Sequence, residues 1–218
     1  MADYDVLIVG GGIAGASLGA EIAGKARTAI IEAEPYCGVH ATGRSAAFWL
    51  ESYGGPNVAL LSAASHDFLE RPPHDFSEHG FLRTRGAVHL TRGDLPRLPT
   101  AVAAHAIGRA ELERLVPGIR PEWRRALVEP GCADIDVAGL HAAYLRHFRK
   151  SGGDISTDAR LESARHRDRV WKVTLSDGSS STAATSCGWR STARRSPAFP
   201  SRRAGVPDRL RELIGPPG

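Results

Sequence analysis

The chain has 218 residues, 42% of them hydrophobic, with 28 Lys and Arg against 24 Asp and Glu and a formal net charge of +4. Such a length buries a true core as one large domain or two small ones, but the charge is uneven: seven arginines against Asp208 and Glu212 put +5 on residues 179–218 and leave −1 on the 178 residues before them. The body therefore lacks the basic excess of a nucleic-acid binder, three scattered cysteines (Cys37, Cys132, Cys187) form no CxxC pair or disulfide framework, and no apolar run approaches the roughly 20 residues of a membrane span. Acidic Asp3 and Asp5 stand where a secretory signal would be basic, so a reduced, cytoplasmic setting is expected.

The apolar run at 4–9 reads as a strand that enters Gly10-Gly11-Gly12-Ile13-Ala14-Gly15 and then a helix from 14 to about 23. This is the outline of a dinucleotide pocket. Gly10 permits the tight turn, Gly12 lets backbone approach a pyrophosphate, Gly15 lets helix and sheet pack closely, and the helix N-terminus offers free N–H groups to phosphate. A second strand at 28–31 leads to Glu32, twenty residues after Gly12, the offset at which an acidic residue accepts from the adenosine ribose hydroxyls. Glu34 is close enough to compete for that role.

A polar connection, 35–45, follows. The spacing of Val58, Leu61, Ser65, Phe68 and Leu69 predicts a helix over 57–70, stopped by Pro72-Pro73. Strands are expected at 86–91 and 126–129, a loop at 92–100 and a short helix at 110–115. Asp136 caps a helix with Val137, Leu140, Tyr144 and Phe148 on one stripe and Gly152-Gly153 at its end. Strands at 154–157, 160–166 and 169–175 close on an Asp177-Gly178 turn. Beyond Gly178 the pattern stops: Arg, Ser, Pro and Ala dominate, only 208–214 has helical character, and the composition is that of a disordered tail.

The glycine motif, Glu32 and the run His-Ala-Thr-Gly-Arg-Ser-Ala-Ala at 40–47 together resemble the FAD-dependent amine oxidoreductases of the D-amino-acid oxidase superfamily, with the D-arginine dehydrogenase type nearest in detail. Tyr53-Gly54, the helix end at 69–73 and the stretch 133–146 extend the likeness over residues 3 to about 178. The resemblance implies an α/β fold: an FAD-binding βαβ Rossmann-type domain over 1–178 with part of an α+β substrate domain at about 45–135, incomplete. It implies FAD with its ADP half over Gly10, Gly12, Ile13, Ala14 and Gly15 and its ribose on Glu32. Its pyrophosphate and ring edge then lie near Thr42, Arg44, Ser45, Ala46 and Ala47, and adenine lies against the backbone of Leu161. Arg44 also reads as a surface cation and Leu161 as strand core.

The resemblance further implies hydride transfer from the Cα–H of an amino acid or amine to flavin N5. Tyr53 matches a substrate-side tyrosine, and an ordinary half-buried tyrosine is an equal reading. Phe48 replaces a flavin-side histidine and Ala87 an acidic residue for a basic substrate end, so a neutral or apolar D-amino acid is expected over D-arginine. His40 sits where some relatives attach flavin covalently, and non-covalent FAD is expected here. No metal site is expected, since the histidines lack metal-ligand spacing.

From Ser179 onward the family's next buried strand, its flavin-touching motif and its closing segment are not recognisable. The composition there suggests a shifted reading frame in GC-rich DNA. The functional alternatives are therefore an amine-oxidising flavoenzyme and a catalytically inactive FAD-binding fragment, or one part of a split enzyme with a complementing chain. Loss of the expected strand would leave the main sheet with an unpaired edge.

Overall fold

The computed structural model describes residues 2–91, 93–96, 98 and 102–188. Its first half runs β1 (Tyr4–Val9), α1 (Ile13–Ile22), β2 (Thr28–Ile31), β3 (Phe48–Trp49), α2 (Gly55–Glu70), β4 (Leu82–Thr84) and β5 (Ala87–Leu90). Then follow β6 (His105–Gly108), α3 (Arg109–Leu115), β7 (Arg125–Glu129), β8 (Ala133–Ile135), α4 (Val137–Lys150), β9 (Asp154–Ser156), β10 (Leu161–Arg167), β11 (Val170–Leu175) and β12 (Ser180–Gly188).

The main sheet has the order β10-β11-β12-β1-β2-β9. Strands β12, β1, β2 and β9 are parallel, while β10 and β11 join antiparallel at one side. Alternation along β1 explains its layers. Leu7 packs with Ala29, Ile31, Val173, Leu175 and Ala183 on one face, and Ile8 packs with Ile30, Ala23 and Phe148 on the other. Strand β2, between β1 and β9, is buried at all four positions, as a strand covered on both faces requires.

Helix α1 buries Ala16, Gly19 and Ala20, and this small-residue side lets α4 come close: a Cβ on Gly19 would stand 2.9 Å from the Phe148 ring and 3.1 Å from Ile30. Asp136 caps α4 by accepting from Gly139 N–H at 2.9 Å. Gly152, at φ +86°, ends the helix where the sequence places its stop. Two three-stranded antiparallel sheets, β3-β8-β4 and β5-β7-β6, are built from residues 48–135.

Two expectations need correction. Helix α2 begins at Gly55, two residues early, because Pro56 suits the first helical turn and Gly54 takes φ +82° before it. More important, the chain does not leave the fold at Gly178. Gly178, at φ +83°, turns β11 into β12, which pairs antiparallel with β11 and parallel with β1. The expected missing strand is therefore filled by Ser180–Gly188, and no gap opens beside β1. Ala183 is fully buried at the middle of this strand, where it pairs with Tyr4 of β1 and Trp171 of β11. The rest of the expected tail, including the helical stretch at 208–214, lies outside the described residues.

Candidate cofactor site

The site starts at the end of β1. Gly10 adopts φ +104°, a left-handed conformation that glycine tolerates without penalty, and its N–H donates to Ile31 O at 2.8 Å. Gly15 faces it across the turn, and a Cβ there would collide with Gly10 O. Gly12 occupies the N-cap of α1 with no side-chain cap, and the first turn carries no acidic residue. The first turn itself thus brings no carboxylate to the positive end of the helix.

Glu32 closes the site from the end of β2. It is 8% exposed, and its carboxylate accepts from Gly11 N–H at 2.7 Å and Glu34 N–H at 3.1 Å, one oxygen each. Each oxygen retains a lone pair for a further donor. The Glu34 carboxylate is instead held by His40 at 3.0 Å and Arg160 at 3.6 Å. The same contact ties up the His40 ring. Cys37 lies against Gly11, and burial followed by the nearby Glu32 charge pushes its thiol above the ordinary value.

Thr42 reaches the site from the turn-rich segment after β2. Its Oγ1 accepts from Ile13 N–H at 2.9 Å and stands 3.1 Å from where a Cβ on Gly12 would be. Gly10, Gly12, Ile13, Glu32 and Thr42 are therefore one constellation. Ala14 lies in the first turn of α1. Arg44, Ser45 and Ala46 form an exposed run, with the Arg44 side chain engaged by no protein group among the described residues. Ala47 is held in place by its carbonyl, which accepts from Ile135 N–H at 3.0 Å.

Two positions stand apart. Leu161 packs its side chain against the core cluster around Leu7 and Val173, although the backbone just before it approaches Glu32 through Ala159 N–H to Glu32 O at 2.8 Å. Tyr53, 69% exposed, sits in the turn before α2 rather than in a half-buried position. Beside it, Ser52 donates its hydroxyl to the buried Glu129 at 2.6 Å, and Glu129 also contacts His89 at 3.0 Å. Among the described residues, ligand atoms of His66, Asp67 and Glu70 lie within 4.8 Å of one another, on the surface of α2.

A family model described as "FAD dependent oxidoreductase" matches residues 5–202. The chain belongs to this DAO family. FAD is therefore its cofactor, and the donor set suits the ADP half: a glycine turn, a helix start whose N-cap is a glycine and a buried carboxylate with spare acceptor capacity. Solved structures share the fold at low identity. Glycine oxidase from Geobacillus kaustophilus superposes with a TM-score of 0.71 at 18% identity, covering 86% of this chain and 55% of that one. L-α-glycerophosphate oxidase from Mycoplasma pneumoniae, solved with FAD bound, gives 0.69 at 15%, with coverages of 84% and 53%. L-amino acid deaminase from Proteus vulgaris gives 0.65 at 16%, with 86% and 47%. This DAO-family chain thus spans about half the length of the structures it matches.

His141 was missed by sequence reasoning, which assigned it no role. From α4 its Nε2 meets Gly11 O at 2.7 Å, with the ring 8% exposed. The available signal was its position four residues after Val137, a polar side chain beside the apolar stripe of an amphipathic helix.

Proposed function

We propose that the chain is the FAD-binding half of an amine-oxidising flavoenzyme acting on neutral or apolar D-amino acids. The constellation of Gly11, Glu32, Ile13 and Thr42 around the glycine-capped start of α1 carries this reading. When bound, FAD would supply a two-electron acceptor for the substrate Cα–H hydride, so that the amine would become an imine and, with water, a keto acid and ammonia. The chain's own residues bind and orient. Glu32 holds the ribose hydroxyls, the Gly12 N–H receives the pyrophosphate while Thr42 Oγ1 holds the neighbouring Ile13 N–H, and Arg44 lies within the adjoining exposed run to add a cation.

Preference for a neutral side chain is supported by the surroundings of Ala87. It pairs directly with Glu129 across β5 and β7, and that carboxylate is already committed to Ser52 and His89 and is 2% exposed. No spare carboxylate is therefore offered there to a guanidinium, which would be costly to leave unpaired in a desolvated site. Phe48, half-exposed at the start of β3, is likewise apolar, so an apolar substrate end is the better match. Tyr53 is proposed to face the substrate from the turn before α2.

The test is an absorbance spectrum of the purified chain with FAD, taken without oxygen before and after a D-amino-acid mixture is added. Bound flavin that bleaches, faster with D-leucine than with D-arginine, supports the reading. Faster bleaching by D-arginine refutes the substrate preference. A second reading is favoured by the half-length match: an inactive FAD-binding fragment, or one part of a split enzyme whose complementing chain supplies the remainder. Flavin that binds but never bleaches would support that reading.

A further inference from the structure

We infer that His141 is a positioning residue that locks together the two loops forming the cofactor seat. This inference rests on the assignment of that seat to FAD. A carbonyl oxygen only accepts, so the 2.7 Å contact to Gly11 O requires that His141 Nε2 carry the proton and donate. Glu32 takes the N–H of the same glycine at 2.7 Å. Gly11 is thus held from both sides, by the end of β2 and by α4, in the middle of the turn that presents Gly12 and Ile13.

The same imidazole also braces the second loop. Gly38 adopts φ +83°, and a Cβ there would stand 2.8 Å from His141 Cε1 and 3.0 Å from Nδ1, so the ring lies flush against the Gly38 backbone. Gly38 O in turn accepts from Gly43 N–H at 2.7 Å, closing the turn that carries Thr42, whose hydroxyl accepts from Ile13 N–H. One buried side chain therefore touches the loop after β1 and the loop after β2, and the two loops meet again at Thr42. The imidazole acts only through those loops, with no step of the reaction assigned to it.

The test pairs hydrogen–deuterium exchange on the FAD-free full chain with an FAD titration read by flavin fluorescence. His141→Leu removes the donor at similar volume and leaves the buried Gly11 carbonyl unsatisfied; His141→Gln restores an N–H donor. Exchange in segments 10–15 and 37–43 is expected to accelerate together by about tenfold in His141→Leu and to stay near wild type in His141→Gln, with FAD binding weakened by about tenfold only in the former. If His141→Leu fails to fold, Gly38→Ala, whose methyl would displace the ring while His141 is retained, is expected to loosen the same two segments.

Unchanged exchange in either segment of a folded His141→Leu chain overturns the inference. So does FAD binding equal to wild type, or a His141→Gln chain as impaired as His141→Leu. Failure of the wild-type chain to take up FAD while the exchange pattern holds would instead overturn the cofactor assignment and leave the lock standing.

Discussion

Each residue of the nucleotide turn is used for a single property. Gly10 supplies a positive φ, Gly15 an absent side chain, and Glu32 a carboxylate that organises backbone donors. Their substitutions should therefore fail differently. Gly15→Ala drives a methyl into Gly10 O and is expected to lower stability by about 1–3 kcal/mol, as overpacking in a close-packed interior does; a urea melt of the FAD-free chain measures it. Glu32→Gln keeps the shape but has one acceptor oxygen for two backbone N–H groups and the ribose that Glu32 is proposed to hold. It should weaken FAD by about tenfold with a smaller stability change, read by fluorescence titration beside the same melt. Equal FAD affinity in Glu32→Gln would remove the ribose role from Glu32.

At the scale of elements, β12 decides how the main sheet closes. Its backbone is joined to β1 by a further contact: Asp3 accepts from Thr182 N–H at 2.8 Å and from Thr182 Oγ1–H at 2.9 Å. The Thr182 hydrogen bonds, backbone first, hold the Asp3 carboxyl below its usual range, and Arg27 does the same for Asp5 at the start of the neighbouring pair. A carboxyl with a depressed folded-state value contributes stability above its unfolded value of 3.8 and loses it as pH falls through the folded value. The β1–β12 junction is thus expected to loosen below about pH 4, and Asp3→Asn should flatten that part of the pH profile. Urea midpoints at pH 5 and pH 3 for both chains check it, and an unchanged profile in Asp3→Asn would deny the contact its role.

For the molecule as a whole, the half-length match to larger oxidases coincides with large apolar side chains left in solvent. Leu60 and Leu61, each above 70% exposed on α2, and Tyr53 at the turn before it are the largest instances on that side. No helix among the described residues is long and apolar enough to cross a membrane. Replacing Leu60 and Leu61 with Glu is expected to change the stability of the chain by less than about 0.5 kcal/mol, since neither side chain is buried, while reducing concentration-dependent association. Light scattering and thermal melts of the double variant separate the two effects. A large fall in stability would show that α2 packs by that face.

The sequence alone determined the parts whose physics is local. A glycine turn between a strand and a helix and the Asp136 cap each depend on neighbours within a few turns of chain, and each stands where the residues placed it; Glu32, twenty residues after Gly12, stands at the end of β2 as its offset within one βαβ unit predicts. Tertiary structure decided what depends on distant partners. Glu32 rather than Glu34 serves the turn because His40 and Arg160 claim the latter. The short strands β3, β4, β6 and β8 lack periodic signal and exist through their pairings. Ser180–Gly188 has the composition of a tail, yet it becomes a strand because β1 and β11 offer it two edges to pair with. His141, 130 residues from the glycine it holds, acquires its role only when α4 is laid against α1.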